Sequence, residues 1–326
     1  MSGFRKATLM LVALVQGGFA FAESATPNMA NLPLPAVLGG WPTPQKIEGV
    51  PTFHLHTLKL ENVPVATGPR EALFNGKDLS QFTPWLGYAH GGMFPEGPND
   101  KPLGETGIGD VFRVVREDGV PAIYITGKVW GSINTRRELG NYHLSLWYKF
   151  GRQWNPSIPP NSGVLYHSYG PYGAFAGTWL SSLEFEVMPR LTGMLAEVGR
   201  ELHMQIPIGE GPGAGVYSGA RDFRFMPGGK RTEIRMPTPI KQHSDAERAL
   251  GQWNKLDLYV AGDQAVHVVN DVPVMAISHI ALRGNDGALR PLTKGRIQLQ
   301  SEGTEVYMRE VWIEPIRSVP KVVATD

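Results

Sequence analysis

From about residue 121 onward, apolar and polar residues alternate in short runs, each closed by Gly, Pro, Asn or Asp. A spacing of two marks strands, whose side chains point alternately to opposite faces. The pattern predicts strands over residues 121–127, 142–151, 163–168, 182–188, 253–262, 264–274, 295–303 and 306–316. In "YHLSLWYKF", Tyr142, Leu144, Leu146 and Tyr148 share one face and His143, Ser145, Trp147 and Lys149 the other. One face apolar and one amphipathic is what a sheet packed on a second sheet requires, so the expectation is an all-β sandwich of two antiparallel sheets. Residues 193–248 hold many glycines and no clear alternation, and are expected to form long loops over one end or face.

Composition narrows the setting. The 326 residues contain 39 Gly and 27 Pro, which suits many short strands, and the formal net charge of +1 without a basic run gives no footprint for nucleic acid. Arg5 and Lys6, the apolar stretch 7–15 and the A-x-A pattern of Ala20 to Ala22 read as an export signal over residues 1–22. The apolar run is short of the ~20 residues that a spanning helix needs, so no transmembrane segment is expected after cleavage. A periplasmic or secreted protein follows. With no cysteine, it has neither disulfides nor thiolate chemistry. Residues 23–69 are Pro-rich and read as a leader or linker, 70–316 as the sandwich domain, and 317–326 as a C-terminal tail.

The candidate chemistry centres on "SSLEFEVMP", where Glu184 and Glu186 alternate with Leu183, Phe185 and Val187. On a strand, the two carboxylates project from one face with their Cα atoms about 6.6 Å apart. Held close in a cleft, two acids raise one another's proton affinity and become candidates for base and acid; on a solvated face they are ordinary. His167 in "GVLYHS" alternates with Gly163 and Leu165 and is a candidate base, proton donor or ligand. His143 and His267 lack a second histidine at metal-ligand spacing.

Six segments resemble, in order, those of the 3-keto-disaccharide hydrolase domain family: "EALFNGKDLSQFTPW", "WGSINTRRELGNYHLSLWYKFG", "NSGVLYHSYGPYGAF", "WLSSLEFEVM", "QWNKLDLYVAGDQAVHVVND" and "GRIQLQSEGTEVYMREVWIEPI". The resemblance implies a concanavalin-A-like jelly-roll β-sandwich and a carbohydrate substrate, a 3-keto-glycoside, cleaved as by a 3-keto-glucoside 1,2-lyase with hydration of the 3-keto-2-hydroxyglucal product. It implies catalytic roles shared by Glu184, Glu186 and His167. It also matches Arg137, Gln300 and Arg309 to polar positions of the family's sheet, and with His143 these are candidate substrate contacts. Trp130 and Trp179 are candidate platforms for a sugar ring. A divalent cation would suit such chemistry, but no ligand set is specific enough to name one. The chain departs from the family pattern with Glu186 where Gln is common, Asp271 where Gly is common, and Glu302 where His is common. Two other readings stand beside this one. A conventional laminarinase-like glycoside hydrolase would need a further acid where Met188 or Pro189 stands, and a non-catalytic carbohydrate-binding module would need none of this chemistry.

Overall fold

The computed structural model describes residues 45–154, 159–199, 202–216, 220–235 and 238–326. The expected export segment, 1–22, and the first part of the leader lie outside them. None of the described residues is helical.

The strand Tyr142–Trp154 shows how the pattern becomes a layer. Tyr142, Leu144, Leu146, Tyr148 and Phe150 are all buried in the main core. Leu144 and Leu146 pair with Leu258 and Leu256 of Asn254–Ala261, so like faces meet across the register. On its other side Tyr142–Trp154 pairs with Thr304–Pro315. Fully burying a leucine contributes about 1.5–3 kcal/mol, so these matched faces carry much of the fold's stability.

Around this pair runs a large antiparallel sheet with strands in the order Arg221–Phe225, Leu202–Ala214, Val272–Arg283, Gln264–Val269, Asn254–Ala261, Tyr142–Trp154, Thr304–Pro315, Val120–Ile125 and Phe112–Glu117, with three short strands attached. A six-stranded antiparallel sheet packs on it, ordered Leu195–Val198, Ser181–Val187, Ser162–Tyr169, Arg296–Ser301, Gly131–Thr135 and Phe82–Leu86. Val164, Tyr166, Leu183, Phe185, Val187, Ile297 and Leu299 of the smaller sheet join the same core. The protein is therefore an all-β jelly-roll sandwich. Within the stretch read as leader, Leu58–Glu61 pairs antiparallel with Lys321–Ala324 of the C-terminal tail in a separate two-stranded sheet.

Two expectations are corrected. The stretch 193–248 is not loop throughout: it contains Leu195–Val198, Leu202–Ala214, Arg221–Phe225 and Lys230–Arg235. Leu202, Met204, Ile206 and Ile208 do alternate and are buried, but Pro207, Gly209, Gly211 and Pro212 mask the signal. The predicted strand 264–274 is a hairpin, Gln264–Val269 and Val272–Arg283. Its turn residues Asn270 and Asp271 both adopt positive φ, 48° and 66°, which Asn and Asp tolerate better than most residues.

Candidate active site on the smaller sheet

The inner face of the smaller sheet is apolar; its outer face is polar and yet buried. Across that outer face, Glu186 pairs with Gly163, and Gln300 on the next strand pairs with Ser132. One step along, Glu184 pairs with Ala196 on one side and Leu165 on the other. Leu165 also pairs with Gln298. Glu184 is 6% exposed, Glu186 5% and Gln300 1%. The alternation argument thus placed the two acids correctly, and the register supplies Gln300 beside them.

Gly163 explains how they fit. A methyl group there would lie 2.2 Å from Oε1 of Glu184 and 2.8 Å from Oε1 of Gln300. The missing side chain leaves a gap in the row that the Glu184 carboxyl and the Gln300 amide fill. Glycine is needed here for space, not for a special backbone angle.

Glu302, just beyond Arg296–Ser301, departs from the family pattern at a position expected to touch the site, and the sequence alone did not single it out as a candidate. It is buried; its charge acts on Glu186, and the charge of Glu184 acts on it. Burial raises all three carboxyls. Glu184 is pushed up to about 8 by burial, with the nearby Gln300 amide opposing the rise. Glu186 lies well above the usual carboxylate range, first from burial and then from the charges of Glu184 and Glu302. Glu302 is likewise well above it, from burial and then Glu184. Three close acids titrate as a set, and the member that Gln300 supports is best able to give up its proton. Oε1 of Glu184, Oε1 of Glu186 and Oε1 of Gln300 have no hydrogen-bond partner among the described residues. Three unfilled acceptors in one place suit a ligand rich in donors, such as hydroxyl groups.

The surroundings account for the dryness. On one side lie Leu165, Trp179 and Val198, with Met93, Trp130 and Phe175 packed against them. On the other lie Met188, Leu191, Met194, Ala196 and Val216. Glu184 sits between one member of each group, Leu165 and Ala196, so its charged form is poorly solvated. Among the described residues no group of three or more His, Asp or Glu side chains is placed to hold a metal ion.

The remaining predicted residues fall elsewhere, for identifiable reasons. His167 does not alternate with Gly163 and Leu165, because a bulge interrupts the pairing after Leu165 and His167 takes φ +49°. Ser168 replaces it on the outer face and receives a hydrogen bond from Gln298. The His167 ring lies beside Tyr166, 5.8 Å between centroids. Burial pushes it down to about 4, with the backbone of Gly262, in the turn between Asn254–Ala261 and Gln264–Val269, opposing. His143 is on the outer face of the large sheet, between Asp257 (2.8 Å) and Glu314 (3.2 Å) and stacked on Tyr259. Arg309 is on that same face, its guanidinium 4.0 Å from the Trp253 ring centre. Arg137 pairs with Glu71 at an exposed position. These three are not brought to the acids. Trp179 is 1% exposed and donates its indole N–H to the Gly131 carbonyl, so it offers no free face. Trp130 stacks on it, 5.6 Å between centroids, and is only half-buried; of the two, it alone can meet a ligand.

Comparison with known proteins gives the class. A family described as the 3-keto-alpha-glucoside-1,2-lyase-like domain matches residues 69–314. The chain belongs to that family. It is a carbohydrate-active enzyme of all-β jelly-roll architecture. Among solved structures, a Parabacteroides distasonis protein described as a glycosyl hydrolase is 18% identical over 76% of this chain and 94% of its own, with a TM-score of 0.41. A second from the same organism is 16% identical over 76% and 100%, TM-score 0.42. A Bacillus licheniformis β-glucanase is 12% identical over 77% and 100%, TM-score 0.35. No curated protein matches the chain.

Proposed function

We propose that this enzyme cleaves a 3-keto-glycoside by β-elimination across C1 and C2. The observation that carries the reading is the pair Glu184 and Glu186 on one sheet face, with Glu302 just beyond the strand Arg296–Ser301, all three buried and biased toward the protonated state. A ketone at C3 acidifies the hydrogen on C2. Glu184, the acid most able to ionise, takes that proton as base. The electron pair passes into an enolate at C2–C3 and then forms the C1–C2 double bond as the C1–O bond breaks. Glu186, still protonated, gives its proton to the departing glycosidic oxygen. Hydration of the enone reverses the sense: water adds at C1 and a proton returns to C2. The result is net hydrolysis without an oxocarbenium ion. The export segment expected at residues 1–22 would deliver the enzyme to the periplasm or the medium.

The test compares a 3-keto-disaccharide with its unoxidised parent in deuterated water. The keto form should be cleaved with deuterium entering C2, and the parent should be inert. Cleavage of both at similar rates with C2 hydrogen retained sinks the elimination mechanism and favours a conventional hydrolase; binding of both with neither cleaved favours a binding module.

Gly163→Ala offers a finer check. The atoms it would strike are the ends of two side chains that can swing aside, so the melting temperature should stay within a few degrees. The displaced Glu184 carboxyl should nevertheless cost at least about tenfold in kcat, because small misplacements of a reacting group are expensive. Unaltered turnover would mean that the carboxyl's position over Gly163 is immaterial.

A further inference from the structure

Directly behind the acids, on the inner face, stands a buried histidine that the chemistry above does not use. His267 belongs to Gln264–Val269 in the large sheet and is 0% exposed. Its ring lies flat on Phe185, centroids 4.2 Å apart and planes 8° from parallel, and Phe185 is the residue between Glu184 and Glu186. Nδ1 is 3.1 Å from the Gly193 carbonyl oxygen, which can only accept, so Nδ1 carries the proton. Nε2 is then a bare acceptor, and the Tyr166 hydroxyl, 2.9 Å away, donates to it. Burial keeps the imidazole neutral and so preserves this pattern, its pKa being pushed down to about 3.

Each of the three contacts leads to the acid strand. Gly193 donates its N–H to the Glu186 carbonyl at 2.9 Å, and the Glu186 N–H donates to the Met194 carbonyl at 3.2 Å. Gly193 takes φ +99°, and a methyl group there would lie 2.4 Å from Cγ2 of Val274, so the turn is pressed closely onto the large sheet. Tyr166 is paired with Leu183, the neighbour of Glu184. Phe185 itself fixes the pleat from which both acids project.

We propose that His267 is a positioning residue, which sets the spacing and orientation of Glu184 and Glu186 from the opposite face of the sheet by holding Phe185, the Gly193 turn and Tyr166 at once. The position needs a flat ring that also carries one donor and one acceptor, and among side chains neutral imidazole supplies all three. Phenylalanine would keep the ring and lose both hydrogen bonds; glutamine would keep a donor and an acceptor and lose the ring. Its effect on turnover rests on the lyase reading, while its effect on the acids does not.

The experiment therefore reads the acids without a substrate. Glutamate carboxyl 13C resonances, assigned with Glu184→Gln and Glu186→Gln, are titrated in the wild type and in His267→Phe, His267→Gln and Tyr166→Phe, each first shown to be folded by its thermal melt. Among the described residues Glu302 is the other acid coupled by charge to the pair, and it is unchanged in all of them. His267→Phe and Tyr166→Phe should move the midpoints of the Glu184 and Glu186 resonances by at least about half a pH unit, since altered spacing alters their mutual interaction. His267→Gln should restore part of that shift. On the 3-keto substrate, His267→Phe should lower kcat about tenfold with KM nearly unchanged, the signature of a misplaced reacting group. Wild-type titrations in folded His267→Phe and Tyr166→Phe overturn the proposal whatever the substrate proves to be, and if His267→Phe does not fold, Tyr166→Phe alone decides. Moved titrations in a protein whose wild type leaves the 3-keto sugar intact would uphold His267 and overturn the lyase reading instead.

Discussion

Glu184→Gln should lower kcat on a 3-keto-glycoside by at least ~10²-fold, the low end of what a positioned acid or base contributes. The amide is close to isosteric with the carboxyl and fills the same space over Gly163, so the sandwich should remain intact and KM should change little. The loss should belong to the chemical step, because only the atom that takes the C2 proton is gone. Steady-state kinetics on a verified substrate checks this. Undiminished kcat would reduce Glu184 and Glu186 to a structural pair and remove the central support for elimination.

The second large effect is on stability. A carboxyl whose folded pKa is raised holds a proton that the unfolded chain has already released, so folding stability is full below the unfolded value near 4.5 and falls as pH climbs through the folded value. Glu184 places that window between 4.5 and about 8, and Glu186 and Glu302, raised further, prolong it upward. Each proton held in excess by the folded state costs about 1.4 kcal/mol per pH unit across its window. The melting temperature of the ligand-free protein should therefore decline from pH 5 to pH 9. Glu302→Gln, which removes one charge without adding bulk, should flatten the decline and leave the variant more stable at pH 8 by on the order of 2–3 kcal/mol. Denaturant titrations at pH 5 and pH 8 measure both quantities. A slope equal in wild type and variant would show that the trio is solvated well enough to ionise freely.

What could be read from the sequence was local, and what could not was set by pairing between distant segments. Two glutamates two residues apart on a strand share a face whatever the rest of the fold does, so Glu184 and Glu186 were legible. That Glu302 joins them depends on how Arg296–Ser301 lies against Ser162–Tyr169, and alternation says nothing of neighbours across a sheet. The same limit misplaced His143 and Arg309. Their side chains point outward, as expected, but from the large sheet and not from the smaller one. His167 was lost to a bulge, because a left-handed φ at a histidine leaves no local signature and every later residue changes face. The strand Leu202–Ala214 was hidden by its own prolines and glycines, although Leu202, Met204, Ile206 and Ile208 alternate plainly once those are set aside. Gly163 was part of a recognised segment, yet its reason, room for a carboxyl and an amide, comes from two strands at once.

The stacked indoles of Trp130 and Trp179 give the enzyme a built-in optical reporter. With ring centres 5.6 Å apart and planes at 27°, their electronic transitions interact, and a chiral arrangement of two such chromophores yields paired circular-dichroism bands of opposite sign in the near ultraviolet. One partner is locked by its bond to Gly131, while the other is half-buried and packed on the apolar group that includes Leu165. A sugar that settles against Trp130 changes the angle or the polarity on one side of the pair only, so occupancy can be followed by light with neither a label nor turnover.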